Sequence, residues 1–175
     1  PAQFDPALAM APEAVLGFIR RTQPEAWAAL RQRHGAQVGA NFLRRLEEEL
    51  SRRGTLDVLR HGVRDLGVDV FLCFFRPASG INPAAEARYR SNRLYVMRQV
   101  CPSVMRPRDR VDTVLLLNGL PIVTLELKNP LTGQTYQDAI TQYQRHRSPQ
   151  DPLFAFRRGA LIHFALDTEQ VYMTT

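Results

Sequence analysis

The run VDTVLLLNGLPIVTLELK, residues 111–128, holds two strand patterns and the turn that joins them. Branched and aliphatic residues fill both halves, and Asn118-Gly119 tolerates the positive φ angles of a tight hairpin. Side chains alternate along a strand, so Asp112, Val114 and Leu116 share one face while Val111, Thr113, Leu115 and Leu117 share the other. The same rule sets Glu126 and Lys128 on one face, about 7 Å apart. Whether Asp112 joins them depends on the turn. A plain two-residue turn pairs Leu117 with Leu120 and throws the two acids onto opposite faces. A three-residue loop, Leu117 to Gly119 with Gly119 left-handed and a bulge beside it, pairs Leu116 with Leu120 and makes the acids diagonal neighbours. The chemistry therefore requires an odd-length loop or a bulge.

Two carboxylates and an amine converging on a strand pair suit metal-assisted phosphodiester hydrolysis. Mg²⁺ prefers hard oxygens, keeps several waters and often takes one or two protein carboxylates. A lysine beside it can position the attacking water or take its proton. Lys128 is the sole lysine among 23 Lys and Arg residues, and an ammonium does acid/base work that a guanidinium cannot. The competing reading is a cross-strand ion pair on a solvated sheet face, but such a pair rarely sits in strands as apolar as these. Asp112, Glu126 and Lys128 are the candidate catalytic residues, with Asp112 and Glu126 as the metal ligands.

Around the hairpin, residues 11–64 read as helical. Pro12 and Pro24 suit first turns, Val38, Phe42, Leu43, Leu46 and Leu50 recur at helical spacing, and Gly54 stops that helix before Thr55 caps the next. Glu47, Glu48 and Glu49 read as a solvated helix face. Strands are expected over 68–75 and 94–101, with a loop over 77–85 between them. A helix from about Gly133 to His146 presents Tyr136, Ala139, Ile140 and Tyr143, and strands over 161–166 and 170–174 follow. This is an α/β pattern in one compact unit: a helical lead-in over 1–64 packed on a core over 65–175.

Composition narrows the partner. A net charge of +6 favours a polyanion, and the basic groups at 106–110 and 145–147 flank the proposed site, where phosphate contacts would be needed. No run is long and apolar enough for a membrane helix, and no leader pattern opens the chain. Cys73 and Cys101 lack metal-ligand spacing and read as buried reduced thiols, which points to a cytoplasmic protein.

At these residues the chain resembles the PD-(D/E)xK nuclease superfamily, and more closely the N-terminal nuclease domain of the restriction (motor) subunit of type I restriction-modification enzymes. The likeness rests on RGTLDVLR (53–60), the segment from Asn92 to Gln99, LNGLP (117–121), ELKNPLTGQ (126–134) and VYMTT (171–175), in that order. It implies a restriction-endonuclease-like mixed sheet core flanked by helices, with Asp112 and Glu126 binding Mg²⁺ and Lys128 as the catalytic lysine. The family's Gln-x-x-x-Tyr motif falls on Gln142, with His146 at the tyrosine position. Gln142, Arg145 and His146 share a helix face and are the candidate DNA-binding residues. The resemblance further implies duplex DNA as substrate, and modification and specificity subunits as partners. It also implies an ATP-driven motor, whose phosphate loop requires a lysine that this chain does not have to spare, so ATP would be bound elsewhere. The alternative is a noncatalytic DNA-binding or subunit-docking module on the same fold.

Overall fold

The computed structural model describes residues 3–175. Its centre is the expected hairpin, β4 (Val111–Leu117) and β5 (Leu120–Leu127), with a correction at the turn. Asn118 and Gly119, at φ 52° and 98°, form a two-residue turn that pairs Leu117 with Leu120. The three-residue loop is not used. A bulge one step further on restores the register: Leu116 pairs with Pro121 but Leu115 with Val123, so Ile122 is the extra residue. Beyond it Thr113 faces Leu125, and continuing that register sets Asp112 across from Glu126.

The five-stranded sheet runs β3 (Leu94–Val100), β4, β5, β6 (Ile162–Leu166), β7 (Val171–Thr174). All neighbours are antiparallel except β5 and β6. That parallel pair needs a crossover, supplied by the helix Tyr136–His146. Its start is fixed by a Thr135/Asp138 capping box and by Asp167, whose carboxylate accepts the backbone N–H of Tyr136 at 2.9 Å. The helix lies on the sheet face that bears Thr124, Glu126 and His163. Tyr143 meets Thr124 there, and Tyr136 stacks on Tyr172 of β7.

The N-terminal helices α1 (Pro12–Thr22), α2 (Pro24–His34), α3 (Val38–Arg53) and α4 (Thr55–His61) bury Val15, Phe18, Ile19, Leu30, Phe42, Leu46 and Val58 in a core that also takes Leu120 of β5. The lead-in thus covers the turn end of the other sheet face. Ala11 donates its backbone N–H to the Gly119 carbonyl at 2.8 Å, and a Cβ on Gly119 would fall 2.8 Å from both the Ala11 carbonyl oxygen and the Val15 nitrogen. Only glycine allows this approach at a positive φ. Away from the turn that face stays half-open, with Leu94, Val96 and Met173 exposed.

Several expectations change. The strand over 68–75 shrinks to β2 (Val68–Val70), which pairs with β1 (Val63–Asp65) in a separate hairpin, because among the described residues no further strand lies alongside residues 71–75. The loop over 77–85 contains the start of α5 (Pro83–Arg90), capped by the Asn82 side chain on the backbone N–H groups of Ala84 and Ala85. Gly54, not Thr55, takes the cap position of α4, freeing the Thr55 hydroxyl to donate to the Gly159 carbonyl at 3.0 Å. Glu49 is buried and gathers Arg45, Arg52 and Arg53 at 2.7–3.0 Å. Burial raises its pKa, but the hydrogen bonds from Arg52 and Arg53 outweigh that and hold the carboxyl below its ordinary value.

Candidate functional site

Asp112, Glu126 and Lys128 gather at the open end of the β4–β5 hairpin, beside the helix Tyr136–His146, which we number α6. The bulge at Ile122 brings the acids together, since without it the two-residue turn would leave them on opposite faces. Asp112 is tied at both oxygens: it accepts from the Gln99 side chain at 3.0 Å and from the Leu127 backbone N–H at 2.8 Å. Gln99 itself has φ 52°, unusual for a side-chain-bearing residue in a strand and of the kind concentrated at functional sites.

Glu126 is 0 % exposed. One carboxylate oxygen, Oε1, accepts two hydrogen bonds from Arg147, from Nε at 2.9 Å and from Nη2. The other, Oε2, is buried with no protein partner. Burial pushes the Glu126 carboxyl up to about 7, outweighing the opposing pull of Arg147, while Asp112 adds to the rise and Lys128 subtracts from it. Lys128 donates from Nζ to Gln142 Oε1 at 2.7 Å, and its backbone N–H holds the Leu166 carbonyl at 2.9 Å. The ammonium is thus steered from α6 and its backbone from β6.

Gln142 therefore touches Lys128, whereas Arg145 and His146 stand exposed further along α6. The basic flanks are less free than their sequence suggests. Arg106 is paired with Asp151 and Asp109, and Arg147 turns inward to Glu126 instead of outward to solvent. Beneath the acids, the Thr124 hydroxyl meets Tyr143 Oη at 2.8 Å and His163 Nδ1 at 2.7 Å. Burial raises the Tyr143 phenol and lowers the His163 imidazole, so both are neutral packing groups behind the site. Cys73 is buried with its thiol pushed up to about 11, and Cys101 is half-buried; both are free.

Among the described residues no group of three or more His, Cys, Asp or Glu side chains could enclose a metal ion. Asp112 and Glu126 form a two-carboxylate pair, and a cation held between them would take its remaining oxygens from water or substrate. The orphaned Oε2 of Glu126 beside Asp112 fits one hard cation of that kind. The match in family terms is direct: the model of the type I restriction enzyme R protein N terminus matches residues 23–175. The chain belongs to that family. No curated protein and no solved structure matches it individually. The R protein N-terminal assignment agrees with the mixed-sheet α/β fold, and no described helix is long and apolar enough to cross a membrane.

Sequence reasoning missed Gln99 and Arg147. Gln99 is the penultimate residue of β3 and carries no sequence mark of its strained backbone. Arg147 was visible only as the last member of a basic triplet; what turns it inward is the end of α6, where residue 147 leaves the helix with extended angles, φ −102° and ψ 125°.

Proposed function

We propose that this protein is the Mg²⁺-dependent endonuclease unit of a type I restriction complex, hydrolysing phosphodiester bonds of duplex DNA. The observation that carries the reading is the bulged hairpin, which aligns Asp112 with Glu126 and leaves a buried carboxylate oxygen without a protein partner. Asp112 and Glu126 would hold Mg²⁺, which when bound supplies Lewis acidity to the phosphate and acidifies an attached water. The remaining work falls to the chain's own groups. Lys128 gives one N–H to Gln142, and its remaining N–H groups would serve the attacking water or the phosphate. Gln142 is then a positioning residue, holding the ammonium from the helix side. Arg145 and His146, exposed on the last turn of α6, lie where a DNA backbone crossing the site would meet them. Membership of the R protein family supports an ATP-driven motor outside these residues and modification and specificity subunits as partners.

The buried Glu126–Arg147 pair favours a second reading, a noncatalytic module in which the acids are structural. Cleavage of duplex DNA by the reconstituted complex separates the two. On the nuclease reading cleavage requires Mg²⁺ and is abolished by Asp112→Ala while DNA binding persists. Unchanged cleavage in Asp112→Ala would defeat it.

A further inference from the structure

Arg147 bears on how the site acquires its cation. Its guanidinium makes three attachments: both hydrogen bonds to Glu126 Oε1, one from Nη2 to the Arg110 backbone carbonyl, and a position 5.9 Å over the Phe154 ring. Arg110 immediately precedes β4, so Arg147 clamps the two strands at the end where the acids sit. An arginine that simply neutralises a carboxylate grips both oxygens in a fork. Here both nitrogens fall on one oxygen, and the second is left bare and buried. The arrangement fixes the carboxylate plane and leaves Oε2 without a protein donor.

Charge adds a second consequence. With both carboxyls ionised, Asp112 and Glu126 bring two negative charges and Arg147 and Lys128 two positive ones, so the site sums to zero before any cation arrives. A neutral site with an immovable guanidinium against one ligand attracts a divalent ion weakly. A DNA phosphate laid across the strand ends would supply the missing negative charge.

Resting on the nuclease reading above, we infer that Arg147 is a positioning residue that presents Glu126 Oε2 and, through its charge, makes cation loading depend on bound DNA. The site then stays unloaded until substrate is in place.

The test measures Mn²⁺ binding, by the paramagnetic resonance of the free ion, to the intact protein with and without a short hydrolysis-resistant duplex. Wild type, Arg147→Gln and Glu126→Gln are compared, the last giving the background from ions held by DNA alone. Wild type is expected to bind Mn²⁺ at least about tenfold more tightly with DNA, above that background. Arg147→Gln keeps a donor for Oε1 but drops the charge, and is expected to bind about tenfold more tightly than wild type without DNA, losing most of the DNA dependence. A purely structural arginine would change stability and leave both affinities where they were. Arg147→Gln binding Mn²⁺ as weakly as wild type overturns the inference while the metal site stands. If that variant does not fold, the wild-type pair decides: equal affinity with and without DNA overturns it. Should Glu126→Gln match wild type in every condition, the carboxylates hold no metal, and the inference falls together with the nuclease reading.

Discussion

At the turn end of the β4–β5 hairpin, Leu116 and Leu120 are sealed in the core and Asn118 is bonded to the Leu72 carbonyl, the Arg93 backbone N–H and the Asn92 side chain, at 2.7–2.9 Å. At the open end of the same strands, Asp112, Glu126, Lys128 and Arg147 crowd four charges into a space that leaves one carboxylate oxygen unpaired. The first arrangement gains from burial and satisfied hydrogen bonds; the second carries the desolvation cost of charge. One residue, Ile122, divides them. Before it the strands follow the register of the turn, and after it they follow the register that the acids need. The stable end thus holds a less favourable one in place.

The contrast breaks most easily at the stable end. Leu116→Ala removes a fully buried side chain and should cost about 2–5 kcal/mol, read as a lowered urea midpoint. A loss well under that range would mean that the turn end is not the anchor described.

Deleting Ile122 should leave the Asn118-Gly119 turn in place and return Asp112 to the face away from Glu126. Cleavage by the complete complex is then expected to fall by more than the roughly 10²-fold predicted for Lys128→Arg, which keeps the charge but loses the compact amine. Near-normal cleavage in either variant would detach the chemistry from the open end.

Acid offers a gentler probe, through the helix that carries Gln142 and leads into Arg147. The Asp167 carboxyl is held below its ordinary value by backbone N–H groups of Glu169, Tyr136 and Gln170. A depressed carboxyl stabilises the fold above its unfolded value, 3.8, and loses that contribution as pH falls through its lower folded value. Thermal unfolding of Asp167→Asn should therefore be less steeply pH-dependent than wild type in this acid range. Matching acid limbs would show that Asp167 does not anchor the helix.

The smallest expected effect is at the exposed face of α6. Arg145→Ala should lower the slope of log affinity for DNA against log salt by about one unit while leaving the fold intact. An unchanged slope would return this face to ordinary solvent exposure.

The same contrast explains how far the sequence could be read. Alternation and Asn118-Gly119 announced the hairpin, and the acid and lysine pattern announced its open end, because both are carried by residue type and spacing. The bulge was foreseen as a need but misplaced: an extra residue in an aliphatic run, Ile122 beside Val123, has no mark of its own. Residues 71–75 do not continue the strand, and an apolar run tells nothing of whether a partner strand lies beside it. α5 was hidden because it is short and buries none of its residues, although Asn82-Pro83 held its capping signal. Arg147 was legible as a charge but not as a partner of Glu126, since the two meet only once the helix ends and the strand pair are both in place.

On the nuclease reading, Asp112 and Glu126 form a cation site for DNA cleavage. The most direct test of that reading is anomalous diffraction from the protein crystallised with duplex DNA and Mn²⁺. A peak is expected within metal–ligand distance of Glu126 Oε2 and an Asp112 oxygen, with a phosphate oxygen completing its coordination. A bare carboxylate pair under bound DNA, or a metal held elsewhere, would contradict it.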